Sequence, residues 1–193
     1  MSGSADSAVK YPAFGDAHLH LAALGRQARE LKLHGQGYEA VLAAVAAAAD
    51  AALDAAAPSI TAGGWITGHG WDQNLWPGQQ FPTKASLDAA ISDRPVLLRR
   101  VDGHAIWVNS KALSAAGITK ATPDPAGGKI VRDARGEPTG VMIDNAVDLV
   151  DGRIPPASAE VRKRRILDAQ KLASPAKYAN TRRPSWLCAA ISS

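Results

Sequence analysis

Strand-like and helix-like stretches roughly alternate along this chain, and that alternation predicts an α/β fold. Three stretches carry the reading. Phe14 to Leu21 reads as a short strand, with Asp16, His18 and His20 on one face and Ala17, Leu19 and Leu21 on the other. Gly37 to Ala57 is the clearest helix: Tyr38, Val41, Leu42, Val45, Ala49 and Leu53 recur at helical spacing, and Pro58 follows its end. Pro95 to Val101 is leucine-rich and β-branched, as a buried strand should be.

The remaining elements follow in order. Trp65 to Gly70 reads as a strand leading into the loop Trp71 to Gly78. Thr83 is placed to N-cap a helix over Lys84 to Ile91, and Asn109 or Ser110 to cap one that runs to Ala116 and stops at Gly117. Lys129 to Arg132 and Thr139 to Ile143 flank a turn at Ala134 to Glu137 and predict a hairpin. Asp144 to Val150 is expected as a short helix, with Asp144, after a strand-like run, placed either to face the site or to cap that helix, the cap being favoured. Ser158 to Leu172 is expected as a longer helix after the Pro155-Pro156 break. There is no internal repeat.

Composition narrows the function classes. At 193 residues, with 46% hydrophobic and 21% charged residues, the chain has enough apolar material for one domain or slightly more, and it is not of disordered type. The net charge of +4 is modest, and its late clusters, Arg162 to Arg165 and Arg182-Arg183, lack interleaved aromatics. Nucleic acid is therefore not an expected partner. Met1 to Lys10 has no apolar core and does not read as a secretory signal, while Asp50 and Asp54 interrupt the alanine-rich stretch and argue against a membrane span. The single Cys188 excludes an internal disulfide framework and suits a reducing compartment, so the expected location is cytoplasmic.

The sharpest chemical feature is Asp16-Ala17-His18-Leu19-His20. Residues two apart on a strand project to the same side, so both imidazoles can reach one point, and imidazole nitrogen is a preferred ligand for zinc and similar divalent ions. Asp16 shares that face and is placed to orient a ligand from behind. A bare HxH is a weak signal on its own, since two histidines hydrogen-bonded at a strand end would read the same way.

Context adds to it. Tyr11 to Leu21 resembles the opening strand of the amidohydrolase superfamily, in which a Pro-Gly-Phe-type lead-in precedes Asp-x-His-x-His. Downstream come Gly70-Trp71-Asp72, Pro82-Thr83, Asp93 to Val96, Arg100 to Ala105, Trp107 to Ser110, Ala112-Leu113, Gly117-Ile118, Pro123 to Pro125, Gly127-Gly128, Ile130, Arg132-Asp133 and Gly136 to Gly140. That ordered set, over about residues 11–172, resembles the YtcJ-like branch, amidohydrolase family 3, which includes N-substituted formamide deformylases. The resemblance implies an incomplete (β/α)8 TIM barrel of the metal-dependent hydrolase type carrying an inserted α+β segment. It implies hydrolysis of a small-molecule amide-type substrate at a non-peptide carbon–nitrogen bond. It also implies one or two divalent ions, zinc above all, with His18 and His20 as the first metal ligands.

Within that frame His104 is the next expected site residue. Asp102-Gly103-His104 follows a strand, and the glycine allows a sharp turn that presents the imidazole to a cleft for substrate contact or proton transfer. The alternative is a histidine bonded to its own loop. His69, between Gly68 and Gly70, together with Trp71 and Asp102, is expected to contact substrate; a turn residue is the alternative for His69. Trp65, Trp71, Trp76 and Trp107 either line an apolar cleft or fill the core, and core is favoured.

The expected organisation is a polar leader (1–10), a first barrel strand and helix (11–63), an inserted α+β segment lining the active-site side (64–150), a barrel helix (151–172) and a tail (173–193). Pro175 and Pro184, with basic residues between, do not make the buried strand the family would place next, so the tail reads as an aberrant, frameshift-like end. A catalytic zinc generally takes three protein ligands plus water, and the recognisable pair supplies two, so weak metal affinity and low turnover are expected. Unpaired edges of a partial barrel would favour self-association. Two other readings stand beside this one: a non-catalytic interaction module derived from such a barrel, and a small complete metalloprotein recruiting His69 or His104 as a third ligand.

Overall fold

The computed structural model describes residues 21–51 and 63–173. Asp16, His18, His20, the body of the first expected strand, the end of the alanine-rich helix and the tail lie outside them. Leu21, expected to finish that strand, instead opens helix α1 (Leu21–Gln27), which is followed by the two-residue strand β1 (Leu31–Lys32). Helix α2 is Tyr38–Ala51 and strand β2 is Ile66–Trp71. Helix α3 (Lys84–Ala90), strand β3 (Val96–Arg100), strand β4 (Ala105–Val108) and helix α4 (Ser110–Ala116) come next. The hairpin β5 (Gly128–Arg132) and β6 (Pro138–Asp144) precedes helices α5 (Asp148–Asp151) and α6 (Ala159–Ala173).

The strands form one six-stranded mixed sheet in the order β1-β2-β3-β4-β6-β5. β1, β2 and β3 run parallel, whereas β3–β4, β4–β6 and β5–β6 are antiparallel. The described residues therefore make an open sheet of mixed strand direction, with the antiparallel pairs all within the stretch 64–150 expected as an inserted α+β segment. The reason is local. Val101 to His104 forms a tight turn with Gly103 at φ 77°, and so short a link can only return the chain antiparallel, since a parallel crossover needs a dozen or more residues. β4 itself was not foreseen as a strand: Ala105 to Val108 is four residues long and fully buried, too short to show a period.

Both faces of the sheet are covered. On one, α2 and α3 pack Val41, Val45 and Leu87 against Ile66, Leu98, Trp107 and Val141. On the other, α4 and the chain after β6 pack Ala112, Leu113, Val147 and Val150 against Leu97, Ile106, Ile130 and Met142. The alternation of Leu97 and Leu98 between the two faces is the strand period made visible. Because α2 shares its core with β2 and β3, packing runs continuously across the expected boundary at residue 63.

The helix ends show where local chemistry decided. Asn109 caps α4 by accepting the Ala112 N–H at 3.0 Å, and Gly117 ends that helix in the left-handed conformation at φ 69°. Thr83 has the extended backbone of an N-cap but makes no side-chain capping bond. Asp144 does not cap the turn that follows it; its carboxylate is used elsewhere. The segment expected as one helix over Asp144 to Val150 is a 3₁₀ turn, Asn145–Val147, running into α5.

Candidate active site at one end of the sheet

Strand directions gather five chain segments at a single end of the sheet. β2, β3 and β6 arrive there by their C-termini, and β4 and β5 depart by their N-termini, as the pairs Ala105↔Ile143 and Gly128↔Asp144 require. The polar residues Asp72, Gln73, Arg100, Asp102, His104 and Asp144 therefore belong to one rim. In α/β sheets, loops beyond the carboxyl ends of parallel strands are the usual place for ligand chemistry.

Arg100 organises half of this rim. Its Nε donates to Gln73 Oε1 at 2.8 Å, its Nη1 binds the Asp102 carboxylate, and its Nη2 lies 3.7 Å from Asp72 Oδ1. Asp102 also accepts the His104 backbone N–H at 3.0 Å. Both of its oxygens thus hold the β3–β4 turn, which is a structural use for a residue expected to touch substrate. The signal that was available is the pair Arg99-Arg100 closing an otherwise apolar strand just before a turn. Arg99 faces the other way and donates to Asp151 at 2.7 Å.

His104 stands at the open side, with 75% of its side chain exposed. Its Nδ1 lies 3.1 Å from Asp144 Oδ1, forty residues away in sequence. A carboxylate only accepts, so Nδ1 carries the proton and Nε2 is turned outward. The ring is therefore held by a residue of another strand and not by its own loop. No sequence spacing links the two residues; only the β4–β6 pairing brings them together.

His69 takes a different setting, on β2 just behind the rim. Its Nδ1 is 3.3 Å from Glu30 Oε2, close but too poorly aligned for a hydrogen bond, so this buried nitrogen has no bonded partner among the described residues. The His34 ring packs edge-on against it, with centroids 5.1 Å apart. Burial pushes the His69 pKa below the ordinary histidine value, Glu30 works against that, and His34 adds to it. Glu30 and His34 were not singled out from sequence. His34 occupies the space beside Gly70, where a Cβ would stand 2.4 Å from its Nδ1.

The tryptophans divide as the core reading expected. Trp71 and Trp107 are completely buried and Trp65 nearly so. Trp71 donates its Nε1–H to Leu98 O at 2.8 Å, which leaves it no open edge from which to meet a substrate. Trp76 borders an open cleft of about 560 Å³ with Gly37, Tyr38, Phe81 and Pro82.

Asp16, His18 and His20 lie outside the described residues. Among those described, no group of three or more His, Cys, Asp or Glu side chains is arranged to hold a metal ion. Among the described residues the rim does not by itself fit a metal centre, and the reading in which His69 or His104 joins His18 and His20 as a third ligand turns on a pair that lies outside them. No helix among the described residues is long and apolar enough to cross a membrane.

Comparison with known proteins gives the family. Residues 5–178 match the family model Amidohydro_3, the amidohydrolase family. YtcJ of Bacillus subtilis, which carries the name of an amidohydrolase, is 42% identical over 158 residues, 80% of this chain and 28% of the relative. An N-substituted formamide deformylase of Arthrobacter pascens is 36% identical over 92 residues, 48% of this chain and 17% of that protein. The crystal structure of an uncharacterized metal-dependent hydrolase from Pyrococcus furiosus superposes with a TM-score of 0.55 at 27% identity, covering 83% of this chain and 29% of that one. The chain spans less than a third of the length of each of these proteins. With the ordered rim, the mixed α/β sheet and a family match over most of its length, this chain belongs to the amidohydrolase family.

Proposed function

We propose that this chain supplies the opening metal ligands and one wall of the active site of a hydrolase acting on non-peptide carbon–nitrogen bonds, with small amides as substrates. The observation that carries the reading is the family match over residues 5–178, which takes in Asp16, His18 and His20 as well as the rim. The similarity to a formamide deformylase supports the choice of bond. His18 and His20 would hold a divalent ion, proposed to be Zn²⁺, with Asp16 orienting one imidazole; such an ion, when bound, activates water and polarises a carbonyl. A (β/α)8 barrel would place those ligands at its mouth, with residues 64–150 inserted beside it.

The rim residues have separate tasks in this reading. Arg100, Gln73 and Asp102 fix the β3–β4 turn. His104, held through Nδ1, offers Nε2 to a substrate amide or to a proton in transit. His69 is buried beside Glu30 and is proposed to support the wall behind the rim. Two imidazoles fall short of the three protein ligands of a catalytic zinc, so this chain alone is proposed to bind metal weakly and turn over slowly. The lone Cys188 supports a cytoplasmic setting.

Zn²⁺ titration by equilibrium dialysis tests the assignment on wild type, His18→Ala and His20→Ala. Weak binding in wild type that is lost in both variants is the expected result. Binding unchanged by either substitution, or absent from all three proteins, would reject His18 and His20 as ligands and favour a non-catalytic role for the sheet surface.

A further inference from the structure

Asp144 ends β6 with φ 50° and ψ −126°, the conformation of the first central residue of a type II′ turn, where glycine dominates. Positive φ occurs at ten described glycines and at two described non-glycine residues, Gln79 and Asp144. Gln79 sits on an exposed turn, whereas Asp144 is pinned. Its N–H donates to His104 O at 2.8 Å, and the next N–H, of Asn145, reaches Gly127 O at 3.3 Å. The Asn145 side chain donates to Ala126 O at 2.7 Å. Gly128, paired with Asp144 across the hairpin, has no room for a Cβ, which would stand 2.2 Å from Ala146 N. A side-chain-bearing residue persists in such a conformation only where its surroundings hold it, and an outlier of this kind points to a use for the side chain.

The use visible here is the contact with the His104 ring, Oδ1 to Nδ1 at 3.1 Å. The backbone bond from Asp144 N–H to His104 O ties the same two residues a second time, so carboxylate and ring share one frame. We propose that Asp144 is a positioning residue: it accepts a strained, glycine-like backbone so that its carboxylate fixes the tautomer and direction of the His104 imidazole, leaving Nε2 as the free nitrogen of the rim. The proposal rests on the assignment of His104 to the site, but the first two of its readouts need neither metal nor turnover.

Long-range ¹H–¹⁵N correlation spectra of the full chain report the ring tautomer directly. In wild type the neutral His104 ring is expected as the Nδ1–H form, and in Asp144→Ala and Asp144→Gly as the mixture of a released ring. Asp144→Asn keeps an acceptor oxygen and tolerates positive φ, so it is expected to restore the Nδ1–H form relative to Asp144→Ala. Thermal melts separate the strain from the contact. Both truncations lack the carboxylate, yet Asp144→Gly is expected to melt roughly 4 °C above Asp144→Ala because glycine relieves the backbone. In any preparation that turns over substrate, kcat is expected to fall at least tenfold in both truncations, with KM changed less. An identical His104 tautomer in wild type and Asp144→Ala would overturn the positioning role, and equal melting of the Gly and Ala variants would overturn the strain. Loss of metal binding or activity for other reasons would leave the tautomer result standing, which keeps failure of this inference distinct from failure of the hydrolase reading.

Discussion

Asn109 shows how much a single buried amide can fix. Its Oδ1 accepts from Val96 N–H and Ala112 N–H, both at 3.0 Å, while its Nδ2 donates to Ile91 O at 3.2 Å and Arg94 O at 2.8 Å. The side chain satisfies the end of α3, the start of β3 and the cap of α4 together. Asn109→Ala strands those groups away from water, and a loss of about 3 kcal/mol is expected in urea unfolding. His69 gives the residue-scale pH dependence. Its folded pKa lies below the ordinary 6.5, chiefly through burial. The unfolded chain therefore takes the proton first as pH falls, so the stability that neutral His69 contributes is complete above the ordinary value and is lost from there down through the folded value. Urea midpoints taken from about pH 7.5 to about pH 5.5 should fall in wild type and fall less in His69→Gln.

At the scale of elements, α6 depends on a close approach to α1. A Cβ on Gly25 would stand 2.2 Å from Arg165 O, and the contact is latched by Arg29 Nη2 to Asp168 Oδ2 at 2.6 Å. The basic run Arg162 to Arg165 is therefore not wholly a solvated face: Arg165 turns partly inward, and burial together with Arg29 and Arg26 lowers its pKa against the pull of Glu30. Gly25→Val is expected to lift α6 from α1. Hydrogen exchange should then speed up across residues 159–171, with β3 and β4 still protected, because the two-sided core around Trp107 does not use that helix pair. Uniform acceleration through the sheet would show that α6 is part of the central fold.

For the molecule as a whole, the open sheet raises the question of its edges. β5 is an outer strand, yet the Asp124 carboxylate accepts the Ile130 N–H at 3.1 Å, while Arg132 Nη1 donates to Ile130 O at 2.9 Å and binds Asp124 at 2.6 Å. The Arg132 hydrogen bond, with that of Ile130 N–H, holds the Asp124 carboxyl below its usual range, so the latch persists in mild acid. This is how an edge strand is kept from pairing with another chain. The self-association foreseen from unpaired edges thus has a specific guard at β5. Asp124→Ala should shift sedimentation toward dimers and larger species at concentrations where wild type is unchanged, and unaltered sedimentation would show that the edge is protected by other means.

How much of this was legible in the sequence differs from residue to residue. The α/β character, helices α2, α3, α4 and α6, the β5–β6 hairpin and the Gly117 stop follow from periodicity and turn chemistry, which are properties of neighbours along the chain. His104 was legible because Gly103 marks a sharp turn after a buried strand. Its pairing with Asp144 was not, since forty residues separate them and only the β4–β6 register sets them side by side. The same holds for Glu30 and His34 around His69 and for the return of β4 beside β3. Sequence alone determined most of the helices, the hairpin and the family to which the chain belongs, because local backbone preference and residue type are written along one dimension. Tertiary structure alone decided which side chains meet, because distances between segments far apart in the chain are set by strand pairing and the packing of the two apolar faces.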